Sequence, residues 1–342
     1  MATVEPRCYF FIAMIDVNHL VKHYRVATRA AGIGAALRSV VSRTYKTVRA
    51  VDDITFQIQP GERVGFLGPN GAGKTTTLKV LAGLLVPTAG RVQVAGYTPY
   101  KRRNEFLNAI TLVTGQKNQL IWDLPPVDTF DLNRAIYGIE RDAFKQRLDE
   151  LVALLEIEEI ITKPSRQLSL GERMKCELTA ALLHNPRVLF LDEPTIGLDV
   201  TMQASIRRFI RGYCRRHGAT VLLTSHNMAD VTEICDRVIV IDCGKLRFDG
   251  SIGQLVQRTR PYKRLELRFA EPIVPERLSQ LGEVVKQTDA KAVIQIPQQK
   301  LKESVERALN DLKAVDLTVT DAPLEEVLAE FFEQKSAEQE CE

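Results

Sequence analysis

Short apolar runs alternate with stretches of helical periodicity along most of this 342-residue chain. MIDVNHLVKHY, AVDDITFQI and RVGFLG have the length and β-branched content of strands. TTTLKVLAGLL, directly after a glycine-rich turn, has the period of a helix. From about Phe106 to Leu183 the pattern is helix-rich, with DAFKQRLDELVALLEI its clearest helix, and strands return in RVLFLDEP, TVLLTSH and RVIVIDCG. This alternation predicts an α/β domain over 14–259. A second α/β block is expected over 260–333, where RLELRFA and AVIQIP alternate. There LKESVERALNDL sets Leu301, Val305, Leu309 and Leu312 on one face. AVDLTVTD then leads to a helix that Asp321 would cap, with Pro323 in its first turn. Residues 1–13 read as an N-terminal extension and 334–342 as a polar tail, and no internal repeat is visible.

Composition changes this picture little. The 46 basic and 43 acidic side chains leave a formal charge of +3, which makes no case for a nucleic-acid partner. Cys8, Cys176, Cys214, Cys235, Cys243 and Cys341 form no CxxC pair and have no His at metal-ligand spacing, so they read as thiols in a reducing compartment. No run approaches the roughly 18 apolar residues that span a bilayer. CYFFIAM is too short, and lacks a convincing cleavage site, for a signal peptide. A cytosolic protein is expected. One local exception is the segment 25–49, where Arg25, Arg29, Arg38, Arg43, Lys46 and Arg49 stand without an acid. Leu37, Val40, Val41 and Tyr45 have helical spacing within it, giving two readings: a basic amphipathic helix facing lipid or a partner, or a solvated surface helix.

Two motifs carry chemistry. Gly68, Pro69, Asn70, Gly71, Ala72, Gly73, Lys74 and Thr75 match G-x-x-x-x-G-K-[ST] between a strand and a helix, with Thr76 continuing the helix. In such a loop successive N–H groups point at phosphates, Lys74 reaches the β- and γ-phosphates, and the Thr75 hydroxyl is placed for magnesium. Some 118 residues on, the apolar run Val188–Leu191 suits a parallel strand buried on both faces. It delivers Asp192 and Glu193 at the end where open α/β sheets place ligands. Asp192 is a magnesium candidate and Glu193 a candidate to polarise water.

With LSLGERM between these motifs, the chain resembles the ATP-binding subunits of ABC transporters over about Ile15 to Gly250. That resemblance implies a P-loop NTPase core with a helical subdomain. It implies ATP and Mg2+ as ligands, and a second copy closing an ATP sandwich. Ser169 and Gly171 match the signature loop that contacts the other copy's nucleotide, with Leu170 and Glu172 as departures from its LSGGQ-like pattern. The resemblance further assigns Gln116 to the loop glutamine near magnesium (Gln119 a weaker competitor), Asp199 to the loop between the two sites, and His226 to the γ-phosphate switch. It assigns adenine stacking to Tyr24, with Tyr45 as the alternative. GQKNQLIWDLP, LSLGERMKCEL and DAPLEEVLAEFF are similar to ABC-2-type exporter ATPases. The implied partner is then a separately encoded membrane permease, at the cytoplasmic face, with Trp122 either at that coupling region or in ordinary packing. An importer subunit is the alternative, and a soluble ABC ATPase acting on ribosomes or DNA the more distant one.

Overall fold

The computed structural model of the protein describes residues 13–27, 45–115, 119–259 and 262–339, with the side chains of 27, 275, 276 and 334–339 excepted. Most of the N-terminal extension, the centre of the basic segment and Gln116 therefore lie outside the described residues.

The first unit, residues 1–249, contains two sheets. Strands β1 (Ile15–Ala27), β2 (Tyr45–Ile58) and β4 (Ala89–Val94) form an antiparallel sheet in the order β2-β1-β4. β1 and β2 pair as far as Ala27 opposite Tyr45, so Tyr45–Arg49 is strand, not the helix the spacing predicts. Ladder hydrogen bonds override a periodicity of only a few apolar residues here.

The second sheet has the order β5-β6-β7-β3-β8-β9. Its strands are β3 (Arg63–Leu67), β5 (Ile110–Thr114), β6 (Val188–Asp192), β7 (Thr220–Thr224), β8 (Arg237–Asp242) and β9 (Lys245–Ser251). The run from β5 to β8 is parallel. β5 falls inside the stretch expected to be helix-rich; a five-residue apolar run carries too little periodicity to distinguish the two. One buried cluster joins both sheets, including Ile15, Val17, Ile54, Phe56, Phe66, Val92, Phe190 and Ile239.

Helix α1 (Lys74–Leu81) follows the phosphate loop and α2 (Asn104–Ala109) precedes β5. Helices α3 (Pro126–Tyr137), α4 (Arg141–Leu155) and α5 (Leu170–Leu182) form the helical part, with α5 touching both other helices and β5. Helix α6 (Val200–His217) packs on α7 (Met228–Ile234).

The second unit, residues 250–342, begins ten residues before the expected boundary at 259/260. The reason is α8 (Ile252–Thr259), whose buried Leu255 and Val256 belong to a helix that packs on α11 (Leu324–Gln339) of the same unit. Between them run β10 (Tyr262–Arg268), α9 (Pro275–Leu278), β11 (Glu283–Thr288), β12 (Lys291–Pro297), α10 (Leu301–Asn310) and β13 (Asp316–Asp321). The antiparallel order β11-β12-β10-β13 makes this a split β-α-β, ferredoxin-like arrangement. Its core holds Leu265, Leu267, Leu278, Ile294, Ile296 and Ala308.

Three expectations for this unit are corrected. On α10 the buried positions are Ser304 and Ala308, flanked by Val305; Leu309 is exposed because it lies off that face. Asp321 ends β13 and pairs with the Lys263 ammonium, while α11 starts after Pro323, whose carbonyl accepts from Glu326 and Val327. That helix continues to Gln339, past the point where a polar tail was expected.

Candidate active site

Parallel pairing sets four strand ends side by side. β5, β6, β7 and β3 are consecutive neighbours, so the segments leaving them emerge along one edge of the sheet. The phosphate loop leaves β3, Asp192 ends β6 with Glu193 directly after it, and His226 follows β7.

Gly73 caps α1 with φ 104°, and a Cβ there would stand 2.3 Å from the Ala50 carbonyl oxygen. Only glycine fits where β2 crosses the loop. The Lys74 ammonium curls back and donates to the carbonyls of Gly68 (2.6 Å) and Pro69 (2.9 Å). Burial lowers the Lys74 pKa, and the nearby charges of Glu193 and then Asp192 oppose that shift. The cation thus sits in a partly dehydrated loop facing two carboxylates.

Asp192 receives the Thr224 hydroxyl at 2.6 Å and lies 3.5 Å from the Thr75 hydroxyl. A carboxylate and a hydroxyl at this spacing fit magnesium, which prefers few protein oxygens plus phosphate and water. Among the described residues no cluster of three His, Cys, Asp or Glu offers a competing cation site. Glu193 adopts φ 54°, a left-handed conformation costly for a residue with a Cβ, while its N–H is held by the Thr224 carbonyl at 3.0 Å. Its carboxylate stands 3.3 Å from the His226 Nε2. Lys74, Thr75, Asp192, Glu193 and His226 are thereby brought together.

Ser169, Gly171, Glu172 and Asp199 form another group. Ser169 caps α5: its hydroxyl accepts from the Glu172 N–H (3.3 Å), and the Glu172 carboxylate accepts from the Ser169 N–H (2.8 Å). The Ser169 N–H, and after it the Ser169 hydroxyl, hold the Glu172 carboxyl below its ordinary pKa. Within one chain Glu172 is therefore engaged by its own helix. A Cβ on Gly171 would lie 2.6 Å from Met202 Cγ, so this glycine allows α5 to meet the first turn of α6. Asp199 caps α6 through the Met202 N–H at 2.9 Å.

Gln119, the weaker competitor, uses its side chain to reach the Leu112 carbonyl (2.9 Å). Its backbone N–H, with that of Leu120, donates to Glu177 of α5 (2.8 and 3.1 Å). Sequence reasoning passed over Glu177 and Thr224, since a helix carboxylate and a strand threonine carry no motif. Trp122 is half exposed, with the Arg173 guanidinium 5.7 Å from its ring, so it is not a core residue. Tyr24 lies opposite Val48 with the Lys22 ammonium 5.3 Å from its ring, and Tyr45 lies exposed opposite Ala27. Both are on the same ribbon.

The family described as "ABC transporter" matches residues 51–196, and "EvrA-like ABC transporter, C-terminal domain" matches 261–320. The chain is 34% identical to the ABC transporter ATP-binding protein NatA of Bacillus subtilis over 215 residues, covering 63% of this chain and 87% of that protein. It is 31% identical to the Nod factor export ATP-binding protein I of Paraburkholderia xenovorans over 233 residues, covering 68% and 76% of the two. A dimeric ATP-binding cassette solved with ADP and Pi has the same fold, with a TM-score of 0.58, 22% identity, and coverage of 70% of this chain and 99% of that one.

Proposed function

We propose, from the premise that this chain belongs to the ABC transporter family of ATP-binding subunits, that it works as one of two identical ATP-hydrolysing subunits. Together they would power an ABC-2-like exporter through a separate membrane permease. The observation that carries the hydrolytic reading is the assembly of Lys74, Thr75, Asp192, Glu193 and His226 at neighbouring strand ends.

Catalysis here is positioning and charge stabilisation. Lys74 offers a buried cation to the β- and γ-phosphates. Thr75 and Asp192 would hold magnesium, which neutralises charge on the phosphates when bound. Glu193 orients the attacking water and accepts its proton, and His226, beside it, faces the terminal phosphate. Ser169 and Gly171 close on the nucleotide held by the other copy, and Asp199 links the two sites. Gln116 follows the end of β5 in sequence and is assigned to the magnesium-side loop.

Glu193→Gln retains shape and hydrogen-bonding reach but not basicity. It should bind ATP as the parent does, lose about 100-fold or more in kcat, and accumulate as a dimer with ATP by light scattering. Turnover at the parent rate would remove Glu193 from the role.

The permease reading is supported by the exposed apolar side chains of Ile121, Trp122 and Leu124. The relative named for Nod factor export favours export over import. Affinity purification of the tagged chain from solubilised membranes should carry an integral membrane protein. Recovery with ribosomes or DNA in its place would overturn this reading.

A further inference from the structure

Next to the Glu193–His226 pair is a buried cluster that the reaction as described does not use. Asp230, on α7, is fully buried. Its carboxylate accepts from the Thr195 hydroxyl, from the Ser225 hydroxyl (2.6 Å) and from the Arg207 guanidinium of α6 (3.2 Å). Thr195 stands two residues after Glu193, and Ser225 stands one residue before His226. A single carboxylate therefore ties the loop after β6 to the loop after β7.

A second strut joins the same loops. Gln203 of α6 donates to the Leu198 carbonyl (3.0 Å) and accepts from the Asn227 side chain (2.9 Å). His226 is thus bracketed on both sides, through Ser225 and through Asn227, by groups bonded to the segment that begins with Glu193.

Burying an ion pair contributes little net stability, because dehydration offsets most of the attraction. What Arg207 and Asp230 supply is fixed geometry: a neutralised carboxylate whose remaining lone pairs point at two specific hydroxyls. The pair it braces is demanding. Glu193 is held in a left-handed conformation, and the His226 side chain is half exposed, so core packing does not fix His226.

We propose that Asp230 is a positioning residue for ATP hydrolysis, setting the spacing of Glu193 and His226 through Thr195 and Ser225, with Gln203 as a second strut. This rests on the hydrolytic reading above. It assigns to the loops after β6 and β7 a common anchor, so that they move as one body.

Steady-state ATPase and ATP affinity of the full-length chain test it, with Glu193→Gln as reference. Ser225→Ala and Thr195→Val each remove one donor to Asp230 and no charge, Ser225→Ala also removing the acceptor of the Asn227 N–H (3.0 Å). Each should lower kcat about tenfold, the scale of one lost hydrogen bond holding a catalytic group, with KM for ATP unchanged. Ser225→Thr, which keeps the hydroxyl, should restore kcat. Asp230→Asn, which also removes the charge facing Arg207 and leaves it only the Glu233 carboxylate (2.9 Å), should lose more. If Ser225→Ala and Thr195→Val keep the parent kcat while Glu193→Gln abolishes it, the clamp is wrong. The same holds if they only lower the melting temperature. No turnover in the parent chain would overturn the hydrolytic reading, and the clamp with it.

Discussion

Thr224 shows how much the site depends on a residue with no motif of its own. Its hydroxyl donates to Asp192 at 2.6 Å while its carbonyl holds the Glu193 N–H at 3.0 Å. The side chain therefore fixes the carboxylate proposed to face magnesium, and the main chain fixes the proposed base. Thr224→Val keeps the shape and the carbonyl but frees Asp192. Loss of such a supporting bond weakens metal binding, so half-maximal activity should need about tenfold more magnesium, with Glu193 chemistry otherwise retained. A magnesium titration equal to the parent's would show that Asp192 needs no support. Tyr24 and Tyr45 are also separable at this scale. Tyr24 is the assignment made from the family resemblance, and Tyr24→Ala should weaken binding of ATP more than binding of pyrophosphate, which has no base to stack. If Tyr45→Ala alone does so, the stacking ring lies at the end of the ribbon.

Among the elements, α5 connects the turn assigned to the signature loop with the segment that follows β5. Its N-terminus is the capped Ser169–Glu172 turn, and two turns on Glu177 accepts the N–H groups of Gln119 and Leu120. Dehydration raises the Glu177 pKa, with those two N–H bonds opposing it. For an acid with a raised folded pKa, the favourable contribution is complete below the unfolded pKa, about 4.3, and is lost as pH rises through the folded value. Glu177→Gln cannot ionise and escapes that loss. The melting temperature of this variant relative to the parent should therefore climb as pH is raised from about 4 towards neutrality. A pH-independent difference would mean that Glu177 keeps an ordinary carboxylate pKa. Legibility followed range: Lys74 and Asp192 announce themselves because glycine spacing and a strand-ending acid are local patterns. Glu177 and Asp230 read as routine helix acids, since their partners lie 57 and 35 residues away. Leu309 misled for the complementary reason, an apolar side chain one position off the face that Ser304 and Ala308 bury.

On the scale of the whole molecule, the two units have separate apolar cores, and all of the residues assigned to ATP chemistry belong to the first. The strand order β6-β7-β3 in that unit has a consequence for biosynthesis. β7, the strand that separates the phosphate loop from the acidic pair, is made about 150 residues after β3. A ribosome-bound chain that ends before Thr220 holds both motifs but lacks the strand between them. Residues 1–219, released as a fragment, should therefore fail to bind ATP, as read by fluorescence of a nucleotide analogue, whereas 1–249 should bind it. Nucleotide capture then waits for β7: ATP can stabilise only chains whose middle strand has already been inserted, and it favours those over shorter ones.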